Sequence, residues 1–185
     1  MKLTLFHGTL EDDAINILKE RRFDFSSGDK HLLGTGIYLY EDVNHAEVWA
    51  RMKAKHFRKI PAVLELNIEI NDEKYFNLDY REPQDDFFNA RCSFFKKINS
   101  GKKHDKEKVD AYYTDSKFCD FLVGLSGDEL LAKTFVYVNK NDRPLVPVRY
   151  TNQKQTDRNI TRHFRTEKQF CLKKNEDILD IKRIL

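Results

Sequence analysis

The chain has 185 residues, of which 40% are hydrophobic and 34% are charged, with a net charge of +3. This composition excludes a disordered chain and suits one globular domain over residues 1–185. No apolar run approaches the roughly 20 residues that cross a bilayer, and the first residues lack a signal-peptide pattern, so we expect a cytoplasmic protein with no membrane contact.

The first half of the chain is predicted to alternate strands and helices. Residues 3–6 have a strand pattern that ends at His7, and residues 12–21 have helical apolar spacing with acids in the first turn. The next predicted elements are a strand over Ile37–Tyr40, a helix over residues 45–57 capped by Asn44, and a strand over residues 62–70.

The second half has weaker patterns. We predict a helix over residues 84–99 and a Lys-rich loop over 99–110. The later predictions are strands over 118–125, 134–138, 145–150 and 169–172, a turn or short helix over 127–133, a polar stretch over 151–163, and a last helix that Asn175 caps, with Ile178, Leu179, Ile181 and Ile184 as its apolar stripe. Strands and helices without regular alternation predict a mixed α+β domain.

Two segments suggest a ligand site. His7 stands at a strand end, where its ring can hold a ligand hydroxyl, and Gly8 lets a ligand approach the backbone N–H and C=O. Gly34 and Gly36 precede a strand, so they do not form the dinucleotide fingerprint that opens a helix. Tyr38 follows them on that strand.

Trp49 stands eleven residues after Tyr38, on the predicted helix. Together the two aromatic rings suit a flat cationic ring such as nicotinamide, through stacking and cation–π attraction. A third segment, over residues 167–172, carries Glu167 and Gln169 on one face of a predicted strand.

In order and spacing, the three segments resemble motifs of the NAD-dependent ADP-ribosyltransferase superfamily, on its poly(ADP-ribose) polymerase-like and diphthamide-toxin-like side. Most of residues 1–56 and 166–182 take part. The resemblance implies a split-sheet α+β fold, with two small, mainly antiparallel sheets around an NAD cleft. It also implies a set of site residues: the NAD-binding ones are His7, Gly8, Thr9, Gly36, Tyr38 and Trp49, and the catalytic ones are His7, Tyr38, Glu167 and Gln169.

Two positions depart from the family pattern. Gln169 stands where the family has its catalytic Glu, and Ala46 stands where a Ser often holds the nicotinamide amide. A Gln dipole stabilises an oxocarbenium-like transition state less than a carboxylate does. We therefore expect Gln169 to contact the ribose and Glu167 to supply the negative charge, as acceptor-side base or as oxocarbenium stabiliser.

The function implied is mono-ADP-ribosylation of a macromolecule with NAD as substrate, in a bacterial toxin, effector or defence protein that an antitoxin or inhibitor could bind. The acceptor stays open between nucleic acid and protein. The alternatives are an NAD glycohydrolase and a non-catalytic module that binds NAD, ADP-ribose or nucleic acid. The cysteines and histidines lack ligand spacing, so no metal is predicted.

Overall fold

A computed structural model describes residues 1–28, 31–99, 115–137 and 165–185. Within these ranges the architecture is mixed α+β, which confirms the predicted fold class. The strands are β1 (Lys2–Leu10), β2 (Ile37–Tyr40), β3 (Pro61–Glu69), β4 (Tyr75–Asn77), β5 (Leu130–Tyr137), β6 (Arg165–Leu172) and β7 (Ile178–Arg183). The helices are α1 (Glu11–Glu20), α2 (Val43–Phe57), α3 (Arg81–Asn99) and α4 (Asp115–Ser126).

The described strands form one sheet in the order β4-β5-β6-β2-β1-β3-β7, antiparallel except between β4 and β5. The prediction of two separate sheets is therefore wrong. The junction between the halves is nevertheless narrow, because β1 pairs with β3 from end to end but with β2 only through Phe6 and Tyr40. Beyond that pair the two strands part.

Alternating side chains bury both faces of the sheet, as expected where helices cover each side. One face packs on α1 through Leu5, Leu39 and Leu64. The other face packs on α2 through a small cluster around Ala46 and Ala50. Farther along that second face, an aromatic cluster from α3 and α4 covers β5 and β6.

Residues 118–125 form a helix, so the predicted strand is wrong. A short apolar run does not distinguish a strand from a buried helix, and here Phe118 and Cys119 point inward while Leu125 is exposed. The predicted turn over 127–133 is also partly wrong. β5 already begins at Leu130, since Leu130 and Leu131 are buried on opposite faces of the sheet.

The predicted last helix is the strand β7. Ile178 and Ile181 both face the core, and a β-bulge at the pairing of β7 with β3 brings them to one face. Residues on one face of a regular strand are two apart, but the extra residue of the bulge places Ile178 and Ile181 three apart. This spacing is typical of a helix, which explains the wrong prediction. Asn175 caps nothing: its side-chain amide bonds the backbone N–H and C=O of Phe23.

A smaller difference concerns the start of α2. Asp42, rather than Asn44, caps this helix, because its carboxylate accepts from the Asn44 amide.

None of the helices in the described ranges is long and apolar enough to cross a membrane. The predicted loop beyond residue 99, the strand over 145–150 and the polar stretch over 151–163 lie outside the described residues.

Candidate active site at the sheet junction

A wide cleft opens where β1 and β2 part, between α1 and α2. It encloses about 1350 Å³, more than the roughly 300–1,000 Å³ of most small-molecule pockets. The sequence-predicted residues that line it are His7, Gly8, Thr9, Tyr38, Trp49 and Gln169. Residues from three adjacent strands and one helix therefore meet in one place.

Gly8 turns its backbone polar groups toward the cleft. Val63 stands opposite Gly8, yet it donates to Leu185 and accepts from Ile184 on its far edge. Within an antiparallel strand, the N–H and C=O of one residue point to the same edge, so those of Gly8 face β2. The ladder with β2 stops at Phe6, which leaves Gly8 to offer one donor and one acceptor, the complement of a carboxamide.

The missing side chain of Gly8 has a separate cause. A Cβ atom there would lie 2.1 Å from the carbonyl oxygen of Ala46. Gly8 therefore allows α2 to pack directly on β1, and this close approach brings Trp49, three residues after Ala46, to the cleft. Ala46 itself is fully buried under this contact.

The partly buried His7 ring has a defined tautomer. Nδ1 lies 2.8 Å from the backbone oxygen of Tyr38, and since a carbonyl only accepts, Nδ1 carries the proton. Burial lowers the pKa of His7 to about 4, against a smaller opposite effect of the bond to Tyr38. The ring is thus neutral at pH 7, and Nε2 is an acceptor suited to a ligand hydroxyl. Phe23 packs edge-on against the ring.

Tyr38 presents its ring, because its hydroxyl is already occupied. The hydroxyl donates to Gly34 O at 2.8 Å and accepts from Leu33 N at 3.0 Å. Burial raises the pKa of Tyr38, so the phenol is neutral. His31, which the sequence analysis did not select, lies with its ring centroid 5.2 Å from that of Tyr38. With its hydroxyl engaged by the backbone, Tyr38 has its ring as the group available to a ligand.

Trp49 lies on α2 at the edge of the cleft, with 46% of its surface exposed. A half-exposed indole that borders a cavity is available to stack on a ligand. The structure therefore brings both predicted aromatic residues to the same cleft, Tyr38 on the sheet and Trp49 on the helix.

Gln169 and Glu167 form a pair on β6. Gln169 Nε2 donates to Glu167 Oε1 at 2.8 Å, so both side chains are on one face, as predicted. Gln169 is buried and lines the cleft opposite Tyr40. Glu167 is not among the lining residues within the described ranges. Gln169 is therefore the member of the pair that reaches the cleft.

Thr9 and Gly36 have structural contacts. The buried Thr9 hydroxyl donates to Asp13, and Lys53 from α2 bonds both residues, which ties α2 to α1 at the cleft wall. Gly36 is not among the cleft-lining residues in the described part of the chain. A Cβ at Gly36 would lie 2.6 Å from Cys171 Sγ, so the glycine allows β2 to pack beside β6. The prediction that Gly36 binds the cofactor finds no support.

A clamp that the sequence analysis missed holds the loop before β2. The Lys173 ammonium donates to Leu33 O and Thr35 O, each at 2.8 Å, and it lies 3.5 Å from Asp120. Asp120 in turn accepts from the Thr35 amide and hydroxyl. Gly34 has φ 81° and abuts Asp120, which requires glycine there. From the sequence, only Gly34 indicated a special loop here. Lys173 and Asp120 are far from this loop in sequence, so their part in the clamp had no local signal.

Comparisons with known proteins assign neither a family nor a function to the chain. One relative, an uncharacterized protein of Methanocaldococcus jannaschii, is 32% identical over 81 residues. The aligned region is 42% of this chain and 38% of the relative, so the chain spans well under half the relative's length. No protein-family model and no solved structure matches the chain.

Proposed function

We propose that the chain has an ADP-ribosyltransferase-like fold, parted between β1 and β2, and that it transfers ADP-ribose from NAD to a macromolecular acceptor. One observation supports this most: His7, Gly8, Tyr38, Trp49 and Gln169 converge on one cleft at the sheet junction. They were selected from the sequence for this chemistry, and three adjacent strands bring most of them together.

Each group has a role that its geometry suits. The Gly8 N–H and C=O bind the nicotinamide carboxamide, and the rings of Tyr38 and Trp49 stack on the nicotinamide. His7 Nε2 accepts from a ribose hydroxyl, with the Tyr38 carbonyl fixing the tautomer. Tyr38 thus acts as a binding platform rather than as an acid.

The reaction breaks the bond between the nicotinamide nitrogen and ribose C1′, with both electrons leaving on nicotinamide. The acceptor nucleophile then bonds C1′ and releases its proton to solvent. Positive charge develops on the ribose between these events, and the carbonyl end of the Gln169 amide stabilises it. The Glu167 carboxylate holds the nitrogen end of that amide and polarises it, so the pair supplies part of the charge that a single Glu supplies in the family.

Incubation with labelled NAD and cell lysate tests the proposal. We expect label on a macromolecule, a loss of about 10²-fold in kcat for Gln169→Ala, as for other transition-state stabilisers, and about tenfold for Glu167→Gln. The smaller loss follows because charge strengthens a hydrogen bond by about 1–1.5 kcal/mol. NAD affinity, measured by calorimetry, should stay within about threefold in Glu167→Gln, since a ground-state contact is not removed.

Other outcomes separate the alternatives. Free ADP-ribose that forms equally fast with and without lysate would make water the acceptor, as in a glycohydrolase. NAD binding with no turnover and no label would contradict the transfer reaction and leave a binding module.

A further inference from the structure

We propose that the α2 wall of the cleft binds single-stranded nucleic acid as the acceptor. This wall consists of Trp49, Met52, Lys55, His56, Phe57 and Arg58, all of which line the cleft. That the nucleic acid accepts ADP-ribose rests on the proposed function, whereas the binding of nucleic acid to this wall does not. The cleft volume exceeds that of usual small-molecule pockets, which allows NAD and part of a second substrate to occupy it together.

Exposed aromatic rings on the wall provide stacking surfaces. On the wall, Phe57 is 57% exposed at the end of α2; across the cleft, Phe25 is 42% exposed on the loop that follows α1. His56 packs edge-on against Phe57, with ring centroids 4.8 Å apart, and orients that ring. Bases stack on such rings regardless of sequence, and each stacked base contributes substantially to single-strand binding.

Two cations, Lys55 and Arg58, lie among these rings. In the helix and the turn after it, Lys53 pairs with Asp13 and Lys59 pairs with Asp12. Lys55 and Arg58 are exposed, and neither takes part in an ion pair with any described residue. Their charges are therefore available to phosphates.

The opposite wall determines where the strand lies. On the α1 side, Glu20 and Asp24 line the cleft with Arg22 between them, which leaves this side with an excess of negative charge that repels phosphates. The nucleic-acid backbone would consequently follow α2, with bases turned toward Phe57 and Trp49. Duplex bases are stacked within the helix and cannot lie on these rings, so the wall fits a single strand.

Fluorescence anisotropy tests this with a labelled oligoribonucleotide of about 12 nucleotides, within the size range of single-strand binding sites. We expect Phe57→Ala to raise the Kd about tenfold through lost stacking. Lys55→Glu and Arg58→Asn should each weaken binding. Each should also reduce the slope of log Kd against log salt concentration by about one, the value for one lost phosphate contact. Asn suits position 58 because the backbone there has φ 55°.

Matched controls lie on α3. Phe88 is 54% exposed and the Arg81 side chain is 93% exposed, so Phe88→Ala and Arg81→Gln change similar groups away from the cleft. Both should leave the Kd within about twofold, as surface changes usually do. Equal weakening by the controls, or no binding at about 100 µM, the weak end of non-specific affinity, would overturn the inference.

Labelled NAD then distinguishes the two proposals. Label on the oligonucleotide supports both. Label on lysate protein but never on nucleic acid would overturn this inference and leave the proposed function standing. Oligonucleotide binding with no NAD binding by calorimetry would contradict the proposed function, and the acceptor role with it.

Discussion

At the scale of single residues, His7 illustrates how burial determines chemistry. The ring donates through Nδ1 to the Tyr38 backbone and stays neutral because desolvation opposes its charged form. The sequence predicted a ligand-binding His at a strand end, but it could not predict the tautomer, which depends on a carbonyl thirty-one residues away.

His7 should make stability depend on pH. The unfolded ring takes up a proton below its ordinary pKa of 6.5, whereas the folded ring resists until about 4. Acidification through this window therefore favours unfolding, with a slope of up to about 1.4 kcal/mol per pH unit. Urea unfolding at several pH values should show wild type losing stability relative to His7→Gln as pH falls from 6.5 to 4. A difference independent of pH would contradict the neutral ring.

Gly8 tests the packing of α2 on β1. An added methyl group would meet the Ala46 carbonyl at 2.1 Å, so Gly8→Ala should destabilise the protein by about 1–3 kcal/mol, as overpacking does. Gly124→Ala on α4 is the control, because nothing lies within 4 Å of its added Cβ, and it should stabilise by about 0.4–1 kcal/mol. Equal effects in urea unfolding would refute the close approach.

At the scale of elements, patterns predicted the helices α1, α2 and α3 and the strands that carry the site. They failed for α4 and β7 for identifiable reasons. The α4 run is apolar and short, and its type is decided by packing of Phe118 beneath the sheet. In β7 the bulge opposite β3 gives a helical spacing to a strand.

The clamp on the loop before β2 depends on elements far apart in sequence. Lys173→Met keeps the buried stem but leaves the carbonyls of Leu33 and Thr35 without their donor. We expect a loss of about 1–3 kcal/mol in the free energy of unfolding, the scale for unsatisfied buried groups. Lys174→Met, beside it, removes only an exposed pair with Glu129 and should cost less than about 1 kcal/mol. Equal losses would show that the clamp is not structural.

At the scale of the whole molecule, the sequence analysis predicted residues that share one cleft better than it predicted the arrangement of the sheet. His7, Gly8, Tyr38, Trp49 and Gln169 all line the cleft. A motif at a strand end depends on residues that are neighbours in sequence, so the sequence predicts its local geometry. The single continuous sheet, with one pair joining its halves, depends on pairing between distant strands, and no local pattern encodes such pairing.

The central claim is that NAD binds in the cleft against Tyr38. Calorimetric titration of NAD into wild type, Tyr38→Phe and Tyr38→Ala tests it most directly. We predict saturable binding to wild type, an affinity within about threefold in Tyr38→Phe, which keeps the ring, and a loss of about 1–3 kcal/mol in Tyr38→Ala, which removes the stacking platform. The absence of saturable binding to wild type, or unchanged affinity in a folded Tyr38→Ala variant, would contradict the account.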